Sequence, residues 1–592
     1  MGFFDGEKII MNIQKNIEQA KKYISDNKLN SALRLLKKLL KLDSNIKEEI
    51  FLEVGKIYFI QKKYRKSKFY LNKIKKESLK QFSCDLLFQI YDRLKCYNKI
   101  INIFDKFGTK NINEYVLYTT LKSCCELKKI SKIFSIINII RSNNVCSVLL
   151  ENLIKDIYKN LAYKIQMLNS KNKKKEVEVL FKKIYKNIPI KDIKFKNVIL
   201  NEYEIAKHKI YLKSYPRIAQ VVITTSCNLK CVMCSENNHN AKYVFSDKQF
   251  NDLVEIMPYL QRLVLRGGEV FLYKNFDRLL DEIYKNDVSV EILTNGLLLN
   301  EKNINKLIKM NAVLNFSIDS PIKETYEFIR KGAKFENLIY NILLLNKIKK
   351  GMKSNAKFNI NMVVMKRNYK EIPDMIKFAK KYNFQGLNLN PIFGTHNENC
   401  FTDNIDKSII KELREKRKEY ELMAKNNEIE LINKLPDNVP NENLFLNKNT
   451  DNVDEFIIKE IRDKKRKEYK VISKNSNTNL INKLSENIPN NINKMDSVDI
   501  YQSLLLKEDI KMFCHAPWRE VFIDDVSYRS NCLCEKNIKF DNLKSNNSII
   551  EFWNSNFMKE YRKKISMKKE YEVCSKECLR NKYNTFDRYR VI

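Results

Sequence analysis

The sequence predicts a multidomain protein: an α-helical repeat solenoid, then an α/β partial (β/α)6 barrel, then a small α+β domain. Three observations carry that prediction. Residues 1–200 read as helix after helix with an internal repeat, residues 216–395 alternate six short β-rich runs with helical stretches, and five of the 14 cysteines crowd into residues 514–578. A chain of 592 residues has room for roughly four domains at ~150 residues each. Glycine is scarce, 11 residues where an average of roughly 7% is usual, so each one invites a question about the backbone.

In the N-terminal region Ala20, Tyr23, Ala32 and Leu36 recur 35 positions later as Gly55, Tyr58, Ser67 and Leu71. The last three recur after 33 more as Tyr91, Ile100 and Phe104. A small residue, an aromatic three positions on and a small or apolar residue nine beyond that resemble the tetratricopeptide repeat, whose stacked helix pairs fit an aromatic against a small side chain. A fourth, weaker unit spans Cys124 to Ile137. An ordinary helical bundle is the competing reading. The five cysteines from 84 to 146 sit in helical context, as in LKSCCEL, and read as packed thiols.

From 216 to 395 the strand-like runs are AQVVITT, RLVLRG, VSVEILT, AVLNFSID, FNINMVVM and GLNLNPI, the first five each followed by a helix-like stretch. Such alternation implies parallel strands with crossover helices, and six strands suit a partial barrel. Seven of the 11 glycines lie here, from Gly267 to Gly394. Next, IIKELREKRKEY at 409–420 returns as IIKEIRDKKRKEY at 457–469, and LINKL at 431–435 returns at 480–484. Each copy reads as a charged helix with an Asn-rich tail, so 401–510 is expected to be a duplicated, solvated, charged helical insertion or linker. Residues 511–592 hold both tryptophans, Trp518 and Trp553.

Hydrophobic residues make up 44% of the chain and charged residues 31%, which argues against global disorder, and no apolar run approaches the ~20 residues of a membrane helix. The start, MGFFDGEKII, lacks a signal-peptide pattern and the Ser or Thr of a myristoylation site, so a soluble cytoplasmic protein is expected. The formal net charge of +39 invites a nucleic-acid partner. Its lysines, however, run along every segment beside Asn and Ile, and no nucleic-acid module accompanies them. Neither nucleic acid nor membrane is therefore the expected partner. Clustered cysteines in such a chain point to metal or redox chemistry rather than to disulfides.

The sharpest motif is TTSCNLKCVMCSE, which places Cys227, Cys231 and Cys234 in C-x3-C-x2-C spacing directly after the first strand. Three thiolates on one loop suit three irons of a cubane cluster and leave one iron open, and an open position marks a catalytic metal site. Zinc is the alternative, with His239 as a fourth ligand five residues after Cys234.

The spacing, the strand before it and the motifs after it resemble the radical S-adenosylmethionine (SAM) enzymes, with Met233 standing where many members have an aromatic residue. By that resemblance Gly267, Gly268 and Glu269 of LRGGEVF match the GGE motif, which holds the methionyl amino group of the cofactor. Thr294 and Asn295, followed by Gly296, match a TNG strand tip. Ser317 and Asp319 of NFSIDS stand where the family has a polar residue near the ribose and methionine, Arg330 also fits that site, and Asn368 follows the fifth strand. All fall at or just past the C-terminal ends of strands, where barrel enzymes build their sites. The family's [4Fe–4S] cluster binds SAM at its open iron, and reductive cleavage gives a 5′-deoxyadenosyl radical that takes a hydrogen atom from the substrate. No catalytic acid or base is identified by the sequence.

The last region resembles the SPASM/twitch extension of some of these enzymes, through CHAPW at 514–518, REVFIDDVSYRSNCLC, FWNS at 552–555 and CSKEC at 574–578. By that resemblance it is a small α+β iron-sulfur domain in which Cys514, Cys532, Cys574 and Cys578 hold one auxiliary cluster, with Cys534 an alternative ligand. Asp524-Asp525 stands where a hairpin Asp-Gly is usual, the last pair is C-x3-C, and structural zinc stays open as an alternative. Together the resemblances imply a radical SAM enzyme that acts on a peptide or protein recruited by the N-terminal repeats and draws on an external electron donor. Dehydrogenation or rearrangement of a small molecule such as a sugar or alcohol is the alternative. A repeat-based binding protein with structural clusters is the reading from another class.

Overall fold

The structure, a computed structural model, describes residues 2–41, 47–107, 113–145, 147–234, 243–392, 407–435, 516–523, 528–529 and 548–566. Among them the chain divides into a helical unit up to Ser214 and an α/β unit from Tyr215 on. No helix of the described residues is long and apolar enough to cross a membrane.

The helical unit contains α1 Gly2–Ser25, α2 Leu29–Leu39, α3 Lys47–Ile60, α4 Tyr64–Leu71, α5 Glu77–Arg93, α6 Tyr97–Phe107, α7 Glu114–Glu126, α8 Ile130–Ser142, α9 Val148–Ser170, α10 Lys174–Tyr185 and α11 Ile193–Ala206. One turn recurs between paired helices. Asn27, Lys62, Lys95, Lys128 and Asn172 each adopt a left-handed φ of 51–58°. The following residue then donates its N–H to the carbonyl five positions back, on Tyr23, Tyr58, Tyr91, Cys124 and Leu168, at 2.8–2.9 Å. This is the Schellman closure of a helix C-terminus. The first four turns stand 35, 33 and 33 residues apart, which is the period of the sequence repeat; its recurring tyrosines supply the first three acceptors and Cys124 the fourth. The small positions allow close packing: Ser67 Oγ donates to the Gly55 carbonyl at 2.7 Å, and a Cβ on Gly55 would stand 2.7 Å from Leu71 Cδ2. Ala20, Ala32, Leu36, Ile100 and Phe104 are buried. Burial also pushes the Cys124 thiol up to about 11 and that of Cys125 to about 12, as expected of packed, unreactive cysteines.

The α/β unit runs β1 Ile218–Thr224, α12 Asp247–Ile256, β2 Arg262–Gly267, α13 Phe276–Lys285, β3 Ser289–Thr294, α14 Glu301–Lys309, β4 Val313–Ser317, α15 Lys323–Ile329, α16 Phe335–Met352, β5 Lys357–Val364, α17 Ile372–Lys381 and β6 Gly386–Pro391. The six strands pair in chain order and all are parallel. Right-handed crossovers between sequential parallel strands place every helix on the same face. That face is apolar and dry, with Val221, Leu265, Ile292, Leu314, Ile360 and Leu387 fully buried. The opposite face is polar. Asn315 Nδ2 donates to Glu291 at 2.7 Å, Asn359 Nδ2 to Asn315 at 3.0 Å and Asn388 Nδ2 to Asn361 at 2.7 Å.

Two additions enlarge the six expected strands to a parallel set of eight. The first corrects the reading of 401–510 as solvated: its first copy folds as α18 Lys407–Glu415, α19 Arg417–Asn426 and β7 Glu430–Asn433, and β7 pairs parallel with β6. Ile410, Leu413, Tyr420, Ala424, Ile429 and Leu435 are buried; Ile410 and Leu413 on α18 and Tyr420 and Ala424 on α19 stand three or four residues apart, so each short charged helix carries its own apolar stripe. The second copy lies outside the described residues. The second addition comes from the C-terminal region. There α20 Ala516–Arg519 leads into β8 Glu520–Ile523, which pairs parallel with β1 and antiparallel with β9 Tyr528–Arg529. The region continues with α21 Ile549–Trp553 and α22 Asn556–Ser566. Trp518 and Trp553 are buried, and Arg562 donates to the Trp553 carbonyl at 2.7 Å.

Candidate functional site

Thr224 ends β1 and leads into the loop that carries Cys227, Cys231 and Cys234. Two backbone bonds strap this loop to the end of α15: Lys230 N–H donates to Lys331 O and Val232 N–H to Ile329 O, both at 2.9 Å. Cys227 and Cys234 are exposed, Cys231 is buried, and all three are free thiols. Burial pushes the Cys227 and Cys231 thiols up, opposed at Cys231 by the Arg330 charge.

The loop after β2 lies directly on the cysteine loop. Gly268 N–H donates to Thr224 O at 2.7 Å and Glu269 N–H to Ser226 O at 2.8 Å. A Cβ on Gly267 would stand 2.1 Å from Thr224 O, and one on Gly268 would stand 2.3 Å from Ser226 O. These two positions are glycine because a neighbouring backbone occupies the space of a side chain. Glu269 is fully buried. Its Oε1 accepts from the Thr294 hydroxyl and its Oε2 from the Asn295 backbone N–H, each at 2.8 Å. Burial pushes the Glu269 carboxyl up, and those donors oppose the shift. Asn295 Nδ2 then donates to Asn228 Oδ1 at 2.8 Å. The tips of β1, β2 and β3 are thereby closed into one ring, from cysteine loop to GGE to TNG and back to the cysteine loop. Asn341 of α16 secures the third tip by donating to Gly296 O at 2.8 Å.

Asp319 and Arg330 meet beneath the cysteine loop. Asp319 is fully buried, its Oδ1 accepts from Val363 N–H at 2.8 Å, and its Oδ2 stands 2.7 Å from Arg330 Nη2. The Asp319 carboxylate is thus engaged by β5 and by Arg330. Arg330 Nη1 in turn lies 3.6 Å from Cys231 Sγ. Asn368 closes the turn after β5, accepting from Met365 N–H at 2.8 Å and donating to Asp319 O at 2.7 Å. Ser317 ends β4 in register with Asn361 and joins none of these side-chain bonds. Asn228 and Asn341 were not singled out from the sequence. Each is an asparagine in a polar-rich chain, and only the folded structure gives it a partner.

Among the described residues no three His, Cys, Asp or Glu side chains converge on one point as a single-ion site requires. A cubane cluster binds each thiolate at a different iron. Three free thiols on one strapped loop, within electrostatic reach of each other, fit that donor set. His239, Cys514, Cys532, Cys534, Cys574, Cys578, Asp524 and Asp525 lie outside the described residues.

Residues 221–379 match the Radical SAM superfamily. Among curated relatives, the GTP 3′,8-cyclase of Clostridium perfringens is 27% identical over 174 residues, covering 27% of this chain and 51% of that protein. The antilisterial bacteriocin subtilosin biosynthesis protein AlbA of Bacillus subtilis is 26% identical over 181 residues, covering 30% of this chain and 39% of that protein. The chain spans about half the length or less of these relatives. The crystal structure of SuiB from Streptococcus suis aligns with a TM-score of 0.40 at 14% identity, over 62% of this chain and 72% of that one.

Proposed function

We propose that this chain, whose residues 221–379 are a radical SAM domain, is a radical SAM enzyme in which Cys227, Cys231 and Cys234 hold a [4Fe–4S] cluster. Such a cluster, together with SAM and one electron from an external donor, would supply a 5′-deoxyadenosyl radical for hydrogen abstraction. The ring of hydrogen bonds linking Cys227–Cys234, Gly267–Glu269 and Thr294–Asn295 carries this reading, because it brings three motifs separated in sequence into one rigid mouth at the strand tips. Within that mouth Glu269 fixes the relative position of the second and third tips. Gly267, Gly268, Glu269, Thr294, Asn295, Ser317, Asp319 and Arg330 are the residues assigned to the SAM site. The polar sheet face below them is the wall available to a substrate.

The substrate assigned is a peptide or protein, recruited by the helix pairs of the N-terminal unit acting as tetratricopeptide-like repeats. The even spacing of their turns and the name of AlbA as a bacteriocin biosynthesis protein support this. The likeness to a GTP cyclase favours a second reading, rearrangement of a small molecule. Cys514, Cys532, Cys574 and Cys578 are assigned to an auxiliary cluster, with Cys534 as alternative. Anaerobic reconstitution followed by measurement of 5′-deoxyadenosine tests the proposal. The wild type should form it from SAM under reduction, and Cys227→Ala/Cys231→Ala/Cys234→Ala should not; product from the triple variant overturns the assignment.

A further inference from the structure

Resting on the radical SAM reading, we infer that Arg330 is a positioning residue for electron transfer, setting the potential at which the cluster of Cys227, Cys231 and Cys234 accepts one electron from an external low-potential donor. Its guanidinium is held at both ends. Nη2 stands 2.7 Å from Asp319 Oδ2 and Nη1 lies 3.6 Å from Cys231 Sγ, with the two side chains only 9% and 0% exposed. Asp319 is itself pinned, by Val363 N–H to its Oδ1 at 2.8 Å and by Asn368 Nδ2 to its carbonyl at 2.7 Å. The residues on either side of Arg330, Ile329 and Lys331, accept the two backbone bonds that strap down the cysteine loop. One three-residue segment therefore sets the position of the loop and delivers a cation to one of its sulfurs. Cys227 is served differently, by a Leu229 backbone N–H at 3.4 Å.

Adding an electron makes a cluster more negative. Hydrogen bonds to the ligand sulfurs and nearby positive charge favour that reduced state, and exclusion of water strengthens both effects. Arg330 supplies the charge and the N–H, while Asp319 orients it and offsets part of the charge. The two residues therefore pull the potential in opposite directions. A purely structural ion pair would predict no such opposition.

The test is a dithionite titration of the reconstituted full-length protein with redox mediators, followed by electron paramagnetic resonance of the reduced cluster. At the wild-type midpoint, Arg330→Gln should lower the ratio of reduced to oxidised cluster about tenfold, which is 59 mV for a one-electron couple. Asp319→Asn should raise that ratio several-fold. Arg330→Lys keeps the charge without the planar fork and should fall between wild type and Arg330→Gln; it decides the matter if the glutamine variant does not fold. Unchanged ratios at full iron content, or shifts of the same sign for Arg330→Gln and Asp319→Asn, overturn the inference. A wild-type protein that takes up no iron would instead overturn the radical SAM reading beneath it.

Discussion

The buried carboxylate of Glu269 accepts a 2.8 Å hydrogen bond from the backbone N–H of Asn295, 26 residues further along the chain and on the next strand tip. With the Thr294 hydroxyl on its other oxygen, it joins two motifs that a sequence comparison treats as separate. Replacing Glu269 by Ala leaves two buried donors without an acceptor, which costs on the order of 3 kcal/mol. Denaturant unfolding should show that loss. Glu269→Gln, which keeps an acceptor, should lose less than half as much.

Gly268→Ala should damage the site more than the fold. Its Cβ would meet Ser226 O at 2.3 Å and Thr225 O at 2.6 Å, and backbone on both sides leaves nothing flexible to yield. The cysteine loop must shift by about an ångström, a displacement that can reduce turnover about 10²-fold. Rates of 5′-deoxyadenosine formation at matched iron content measure this, and a wild-type rate would contradict the packing.

The first copy of the duplication gives a sharp contrast between a solvated linker and a structural element. Tyr420 is 2% exposed on α19, so Tyr420→Ala should destabilise the α/β unit by about 3 kcal/mol through loss of packing. A solvated helix would lose about 0.5 kcal/mol or less. Thermal unfolding of the full chain separates the two outcomes.

His208 makes the helical unit sensitive to acid. Burial first, then the nearby Lys174 charge, hold its pKa below the ordinary value of 6.5. Between that value and the lower folded one, the unfolded state binds more protons, so stability is lost as pH falls through this window. Protection factors at residues 199–206, which correct hydrogen exchange for its intrinsic pH dependence, should fall on acidification below pH 6.5. His208→Asn, which tolerates the left-handed φ of 52° at this position, should remove most of that pH dependence.

The sequence by itself determined the order of elements and the identity of the cysteine loop. Both are written locally, the one in hydrophobic period and the other in C-x3-C-x2-C spacing. Ile292 and Leu314 on adjacent strands, or Tyr58 and Leu71 on paired helices, could be read as core from their period alone. Only the tertiary structure decided what the polar residues of these motifs do, because hydrogen-bond partners are set by contacts between distant segments. Glu269 proved to be a clamp, Asp319 a support for Arg330, and Asn228 the residue that closes the ring. Strand pairing was non-local in the same way. Nothing in LINKL or in EVFI states that one will extend the sheet beside β6 and the other beside β1, since an edge strand is recruited by the unpaired backbone it meets rather than by its own composition.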